Sequence, residues 1–113
     1  MKETRLGDFE ETLLLLAGIL GDDSYAFRIA DEFALQTGRV VSIGAVHSTL
    51  NRLEKKGFLK SAMGKATAER GGRRKRIYTI TAYGKKALET ARDFKLSLWN
   101  QFPAFAKKLN FGK

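Results

Sequence analysis

Cysteine is absent from this sequence of 113 residues, and histidine, tryptophan and proline each occur once. Without cysteine the chain can form neither a disulfide nor a thiolate metal site, and a single histidine excludes sites that need two imidazoles. The longest apolar run, from Leu13 to Leu20, spans eight residues, whereas a membrane-spanning helix needs about 20. Acidic residues precede this run and no small-residue cleavage site follows it, so we expect no signal peptide. We predict a cytoplasmic protein of one domain with no membrane span.

Positive charge is concentrated in the second half of the chain. Residues 1–54 carry five basic and nine acidic side chains, whereas residues 55–113 carry sixteen basic and three acidic ones. The densest cluster consists of Arg70, Arg73, Arg74, Lys75 and Arg76. Because such a cluster repels itself, a polyanion beside it is favourable. Nucleic acid is the first candidate partner and an anionic membrane surface is the second, while a solvated loop without a partner is the alternative.

Apolar periodicity and helix-ending glycines predict four helices and one hairpin. The predicted helices span residues 8–20, 25–37, 43–56 and 82–101, and the predicted strands span residues 58–63 and 75–81. Residues 39–41 form an extended link that could add a stub of edge strand. The side chains that we expect to cap the helices are Asp8, in a capping box with Glu11, and Ser24, Ser42 and Thr81. On the second helix, Phe27 or Tyr25 begins the predicted inner stripe.

The third helix has two contrasting faces. Its inward face contains Ile43, Val46, Leu50 and Leu53 within an arc of about 80°. The opposite face contains Gly44, Ala45, Ser48, Asn51, Arg52 and Lys55. The amide of Asn51 and the guanidinium of Arg52 can each make two hydrogen bonds, which suits adenine and guanine edges respectively in a major groove. A face that is merely solvated is the alternative reading.

His47 lies at the border between the two faces of this helix. We expect it to be a half-buried packing residue, and a phosphate or base contact is the alternative.

The last predicted helix carries an apolar band about 140° wide. The band consists of Ala87, Leu88, Ala91, Phe94, Leu98, Trp99 and Phe102. A small core is complete before this helix begins, so a second copy of the chain is the natural cover. The same helix of that copy, or its leucine-rich first helix with Leu13 and Leu16, would then form a two-fold dimer.

Several segments resemble one known family in their order and spacing. They are residues 7–10 (GDFE), 24–26 (SYA), 42–57 (SIGAVHSTLNRLEKKG), 70–78 (RGGRRKRIY) and 79–84 (TITAYG). Over most of residues 7–90 the chain resembles the PadR-like transcriptional regulators. The resemblance implies a bacterial or archaeal dimeric repressor whose third helix enters the major groove while the wing touches the DNA backbone or minor groove. It also implies a short C-terminal form, since one helix follows the wing.

The resemblance has one departure and one further implication. Family members usually carry tyrosine where this chain has His47, which puts a DNA contact by that ring in question. Some members bind phenolic acids or flat drugs between subunits, and in multidrug-sensing members a tryptophan of the last helix lines that site. Trp99 is the matching candidate for a small aromatic effector, with core or dimer packing as the alternative.

These observations predict a mainly α fold with a small β-hairpin. It is a winged helix-turn-helix over residues 1–81, with a C-terminal dimerisation helix and tail over residues 82–113. We expect a homodimeric, sequence-specific regulator of double-stranded DNA, acting as a repressor on an inverted-repeat operator. The expected DNA-binding residues are Ser42, Gly44, Ala45, His47, Ser48, Asn51, Arg52, Lys55, Arg70, Arg73, Arg74, Lys75 and Arg76. The expected dimer contacts are Leu13, Leu16, Leu88, Ala91, Phe94, Leu98, Trp99 and Phe102.

Two other classes of function are alternatives to this one. A basic RNA-binding accessory protein would use the same wing, but base stacking needs exposed aromatic side chains. The basic segment offers only Tyr78 and Tyr83. An enzyme is not expected, because no pair of nucleophile and base, metal cluster or pair of carboxylates can be assembled from these motifs. We also expect no cofactor and no bound metal.

Overall fold

The computed structural model describes residues 5–64 and 74–103. Within these ranges the elements follow the predicted order of three helices, a hairpin and a fourth helix. They are α1 (Asp8–Leu20), a 3-10 turn (Gly21–Asp23), α2 (Ala26–Thr37), α3 (Ile43–Lys55), β1 (Leu59–Met63), β2 (Arg76–Ile80) and α4 (Ala82–Gln101). The mainly α fold class with a β-hairpin is confirmed, and the arrangement is a winged helix-turn-helix.

The core lies where α1, α2 and α3 meet. Val46, Leu50 and Leu53 of α3 are completely shielded from solvent, as the periodicity of that helix predicts. Burial of each such side chain contributes about 1.5–3 kcal/mol relative to leaving it exposed. The other core side chains are Leu13, Leu14, Leu16, Ala17, Ala26, Ile29, Phe33, Phe58, Leu59 and Tyr78. Because this face of α3 points inward, its polar face must point outward.

The hairpin is attached to the helices by backbone hydrogen bonds. Strands β1 and β2 pair antiparallel, with Leu59 opposite Ile80 and Met63 opposite Arg76. On the outer side of β2, the Tyr78 N–H donates to the Ser24 carbonyl at 2.8 Å. This bond fixes the base of the wing beside the start of α2.

Two of the four predicted helix caps are wrong. Asp8 does not cap α1, because Gly7 takes the cap position and its N–H donates to the Glu10 carboxylate at 2.8 Å. Ser24 does not cap α2, because its side chain is buried in the core and Tyr25 takes the cap position. The structure confirms the other two caps. Ser42 accepts from the Ala45 N–H, and Thr81 accepts from the Gly84 N–H.

Two predictions about the second helix and the link after it also fail. Neither alternative for the first residue of the inner stripe of α2 is right: Phe27 is 62% exposed, Tyr25 is the half-buried cap residue, and the buried side chains are Ala26, Ile29 and Phe33. Residues 39–41 add no strand to the hairpin, because the sheet in the described part of the chain consists of β1 and β2 alone.

Gly84 is where α4 lies close to the backbone that links α3 to β1. A Cβ atom at this position would overlap the carbonyl oxygen of Phe58, which already accepts the Thr81 N–H. We therefore expect Gly84→Ala to lower the free energy of unfolding by about 1–3 kcal/mol through overpacking, despite the better helix propensity of alanine.

The matched control for this substitution is Gly18→Ala in α1. A Cβ atom at Gly18 would meet open space, so this variant should be neutral or stabilised by up to about 1 kcal/mol. Urea unfolding of both variants measures the difference. Equal free energies of unfolding for the two variants would contradict the close approach at Gly84.

Candidate nucleic-acid interface

The outward face of α3 is polar and available to a ligand. The Ser42 hydroxyl accepts the Ala45 N–H at 3.1 Å and fixes the start of the helix. Ala45 itself is half-buried. The exposed members of the predicted set on or beside this helix are Ser42, Gly44, His47, Ser48, Asn51, Arg52 and Lys55. The prediction that His47 is half-buried is wrong, because Val46, Thr49 and Leu50 fill the core and direct His47 outward.

The side chains of Ser48 and Asn51 keep hydrogen-bonding groups available on the outward face of α3. The Ser48 hydroxyl donates to the Gly44 carbonyl at 3.0 Å, so its oxygen can still accept a hydrogen bond. The amide of Asn51 is exposed, and none of the hydrogen bonds within the described residues involves it. Both hydrogen-bonding groups of the Asn51 side chain are therefore accessible to an external partner.

Arg52 is exposed, but its side chain forms hydrogen bonds within its own chain. Its Nε donates to Glu10 Oε2 at 3.0 Å and its Nη2 donates to Thr49 Oγ1 at 3.3 Å. Lys56, one turn further along the same helix, donates from Nζ to the same carboxylate at 2.9 and 3.0 Å. Glu10 of α1 thus binds two cations of α3, although the Arg52 side chain keeps 53% of its surface exposed.

Glu10 is a buried acid that stays ionised. Burial alone would raise the pKa of its carboxyl group, but hydrogen bonds from the Gly7 N–H, Lys56 and Arg52 outweigh burial and hold that pKa below its ordinary value. A negative charge inside the fold at neutral pH is therefore compensated by two positive charges of α3.

The base of the wing is tied to α3 by a chain of hydrogen bonds. Arg76 Nη1 donates to the Ser61 hydroxyl at 3.0 Å. Ser61 in turn donates to the Glu54 carboxylate at 2.9 Å. These bonds link β2, β1 and α3 in one line, so the cationic strand of the wing has a fixed position relative to the polar face of α3.

The remaining wing cations fall into two groups. Arg74 Nε donates to the Gly64 carbonyl at 3.0 Å, and Lys75 Nζ lies 4.4 Å from the centroid of the Tyr25 ring, a cation–π distance. Arg70 and Arg73 lie outside the described residues, so their predicted DNA contacts have no structural description.

One cleft brings α3 and the wing together. It encloses about 550 Å³ between the start of α2, the outer face of α3 and the base of the wing. The predicted residues that line it are His47, Asn51, Arg74, Lys75 and Arg76. Tyr25 and Phe27 of the α2 start line it as well, and sequence reasoning missed both. No sequence signal marks them, because their place depends on how α2 packs beside the wing.

Helix α4 and the residue that follows it carry a group of exposed apolar side chains. Large side chains exposed there include Phe94, Leu96, Leu98, Trp99 and Phe102. A shallow pocket of about 380 Å³ is lined by Lys95, Leu98, Trp99 and Phe102. Leu88 and Ala91 are only half-buried. A single chain therefore leaves five bulky side chains in contact with water, namely Phe94, Leu96, Leu98, Trp99 and Phe102.

The predicted dimer contacts on α1 need correction. Leu13 and Leu16 are buried in the core of their own chain, because α1 packs against α2, α3 and β2 on that side. The large apolar side chains that α1 exposes are Leu15, at 46%, and Ile19, at 66%. These two, rather than Leu13 and Leu16, are accessible to another subunit.

Residues 5–64 and 74–103 lack two other features that would point to a different function. No helix there has the length and apolarity to cross a membrane. No group of three or more His, Cys, Asp or Glu side chains there could hold a metal ion.

Comparison with known proteins agrees with this geometry. The model of the transcriptional regulator PadR-like family matches residues 15–90, which is more than half of the chain. The chain belongs to the PadR-like family of transcriptional regulators. A search of curated proteins gave no match. The protein is thus a DNA-binding transcriptional regulator, and PadR-like proteins are not enzymes.

Solved structures share the PadR-like fold. A transcriptional regulator from Clostridium thermocellum is 28% identical, with a TM-score of 0.64 over 84% of this chain and 88% of that one. A PadR-like regulator from Bacillus cereus is 21% identical, with a TM-score of 0.64 over 93% of each chain. The complex structure of hsRosR-S1 has a TM-score of 0.69 at 20% identity, covering 94% of this chain and 87% of that one.

Proposed function

We propose that this PadR-like protein is a homodimeric repressor that reads an inverted-repeat operator in double-stranded DNA. The observation that carries the proposal is the cleft in which the exposed Asn51 amide lies beside Arg74, Lys75 and Arg76. An amide suits a base edge and the cations suit phosphates. We assign DNA binding to residues 1–81 and dimerisation to residues 82–113, in the cytoplasm of a prokaryotic cell.

Base reading is assigned to α3, here called the recognition helix. Ser48 and Asn51 face outward from the middle of the helix and supply the groups that meet base edges. Gly44 and Ala45, together with the exposed Ser42 and His47, form the narrow start of the helix that enters the major groove. Lys55 near its end is exposed and neutralises a phosphate. Arg70 and Arg73 are assigned to phosphates with the other wing cations.

Dimerisation is assigned to the apolar face of α4. Exposed Phe94, Leu98, Trp99 and Phe102, together with Leu88 and Ala91, would be covered by a second copy, to which Leu15 and Ile19 of α1 are also accessible. A two-fold axis then gives each operator two half-sites of opposite orientation, about 34–36 Å apart for one helical turn of DNA. The pocket at Lys95, Leu98, Trp99 and Phe102 supports a small aromatic effector as a further part of this proposal.

The two tyrosines of the basic segment do not support the RNA-binding alternative. The Tyr78 ring is buried in the core, and the half-buried Tyr83 ring packs against Phe58 with centroids 5.1 Å apart. Neither ring is free to stack on a splayed base.

Selection from a random duplex pool tests the proposed function. The purified protein should enrich a palindromic sequence, because two recognition helices related by a two-fold axis read the same bases on opposite strands. Recovery of unenriched DNA at moderate salt would contradict it. The enriched sequence is called the operator below.

Arg74→Ala should weaken binding to every duplex alike. Arg74 is exposed beside the cleft, so it contributes charge rather than base recognition. Loss of one phosphate contact should reduce the slope of log affinity against log salt by about 0.9. Titration of operator and shuffled duplexes over a salt series measures this slope.

Arg92→Ala on α4 is the control, because it makes the same change in charge at a side chain that pairs with Asp93. It should leave the slope unchanged. A loss confined to the operator would instead make Arg74 a base-reading residue.

A further inference from the structure

The ion-pair network at Glu10 plays no part in the DNA contacts assigned above, yet it joins α1 to the recognition helix. We propose that Glu10 is a positioning residue that fixes the recognition helix through Arg52 and Lys56. Arg52 then serves DNA recognition through α1 and not by contact with a base. This inference rests on the proposed function, because it concerns how the same helix is aligned for reading.

The geometry at Glu10 is that of a saturated, buried carboxylate. Its side chain is 8% exposed. Oε1 accepts from the Gly7 N–H at 2.8 Å and from Lys56 Nζ at 2.9 Å. Oε2 accepts from Arg52 Nε and from Lys56 Nζ, both at 3.0 Å. Arg52 and Lys56 together compensate this buried carboxylate, so Arg52 has a charged partner within its own chain.

The network also constrains the direction of Arg52. The edge of the guanidinium that Nε and Nη2 form is occupied by Glu10 and Thr49, so it is unavailable to a guanine. The adjacent Asn51 has no such bond within the described residues. Two neighbouring side chains of one helix therefore have different tasks, in which Asn51 meets the base and Arg52 holds the helix.

Glu10 and Arg52 are far apart in sequence, 42 residues from each other, so their bond sets how α3 lies on α1. Rotation of α3 about its own axis would break this bond before it exposed the apolar core. A small rotation would also displace the Ser48 and Asn51 side chains, whose base contacts depend on direction. The pairing therefore bears on sequence discrimination more than on general affinity for DNA.

The test compares operator and shuffled duplexes by fluorescence anisotropy at one salt concentration. The variants are Glu10→Gln, Arg52→Ala, Arg52→Lys and the double variant Glu10→Gln with Arg52→Ala. Glu89→Gln is the matched control, because it removes the same charge from an exposed position of α4. The readout is the ratio of operator affinity to shuffled affinity, since loss of an acid raises affinity for all DNA through charge alone.

Glu10→Gln should lower this ratio by about tenfold, and the double variant should lower it no further than the worse single variant. Arg52→Lys should keep most of the ratio, because an ammonium can still pair with Glu10 but lacks the planar fork with which a guanidinium binds guanine through two parallel hydrogen bonds. Glu89→Gln should keep the full ratio. Melting temperatures recorded in parallel separate a change in alignment from unfolding.

Three outcomes would overturn this positioning role. They are an unchanged ratio in Glu10→Gln, a loss in Arg52→Lys as large as that in Arg52→Ala, and losses that multiply in the double variant. If Glu10→Gln does not fold, the comparison of Arg52→Ala with Arg52→Lys decides the matter by itself, because Arg52 is half-exposed and its replacement should leave the fold intact. If the unsubstituted protein shows no preference for the operator, the proposed function is refuted and the positioning role fails with it.

Discussion

Asn51→Ala is expected to lower affinity for the operator by about 5- to 150-fold, because an amide that donates to adenine N7 and accepts from adenine N6 contributes about 1–3 kcal/mol of discrimination. Affinity for shuffled duplexes should stay the same. The expectation follows from the position of Asn51, which is exposed on the recognition helix and lines the cleft that the wing cations also line. Anisotropy titrations with both duplexes at one salt concentration measure the two affinities.

Lys55→Ala is the control for this substitution on the same helix. Lys55 is exposed near the end of α3, and its assigned partner is a phosphate, so its loss should weaken both duplexes by the same factor. Equal losses on both duplexes for Asn51→Ala would show that the Asn51 amide reads no base.

Leu98→Glu is expected to convert the dimer to a monomer and to lower operator affinity by at least about 100-fold. Leu98 lies within the exposed apolar face of α4, where a second subunit would bury the new carboxylate without a partner. A single subunit makes half of the base and phosphate contacts, and specific dissociation constants of about 10⁻⁸–10⁻¹¹ M depend on the full set. Light scattering after size exclusion gives the mass, and anisotropy gives the affinity.

Asn100→Glu provides the matched control on the same helix. It introduces the same charge at an exposed position on the side of α4 opposite to Leu98, so it should leave both mass and affinity unchanged. A dimer that survives Leu98→Glu with full affinity would place the subunit interface elsewhere.

Helix α3 could be predicted because its determinants are local. The Ser42 hydroxyl caps the helix by accepting the N–H of Ala45, three residues further along the chain. The core side chains Val46, Leu50 and Leu53 recur at helical spacing and are completely buried. An amphipathic pattern of this kind fixes the inward face and hence the outward one. The same reasoning gave the bounds of α4 and its Thr81 cap.

The features that could not be predicted depend on contacts between distant segments. The bond from Arg52 to Glu10 spans 42 residues and that from Lys56 to Glu10 spans 46, so no spacing in the sequence reveals them. The leucine run of α1 is apolar on every side. Its pattern therefore could not show that Leu16 would be buried and Leu15 exposed. Ser24 resembled a cap residue, but packing buried its side chain.

The central claim is that two copies of the chain bind one operator together. Native mass spectrometry of the protein mixed with the selected duplex tests it most directly, because it counts the chains on each DNA molecule. The account predicts two chains on each operator and little complex on a shuffled duplex of equal length. One chain on each operator, or equal occupancy of operator and shuffled duplex, would contradict it.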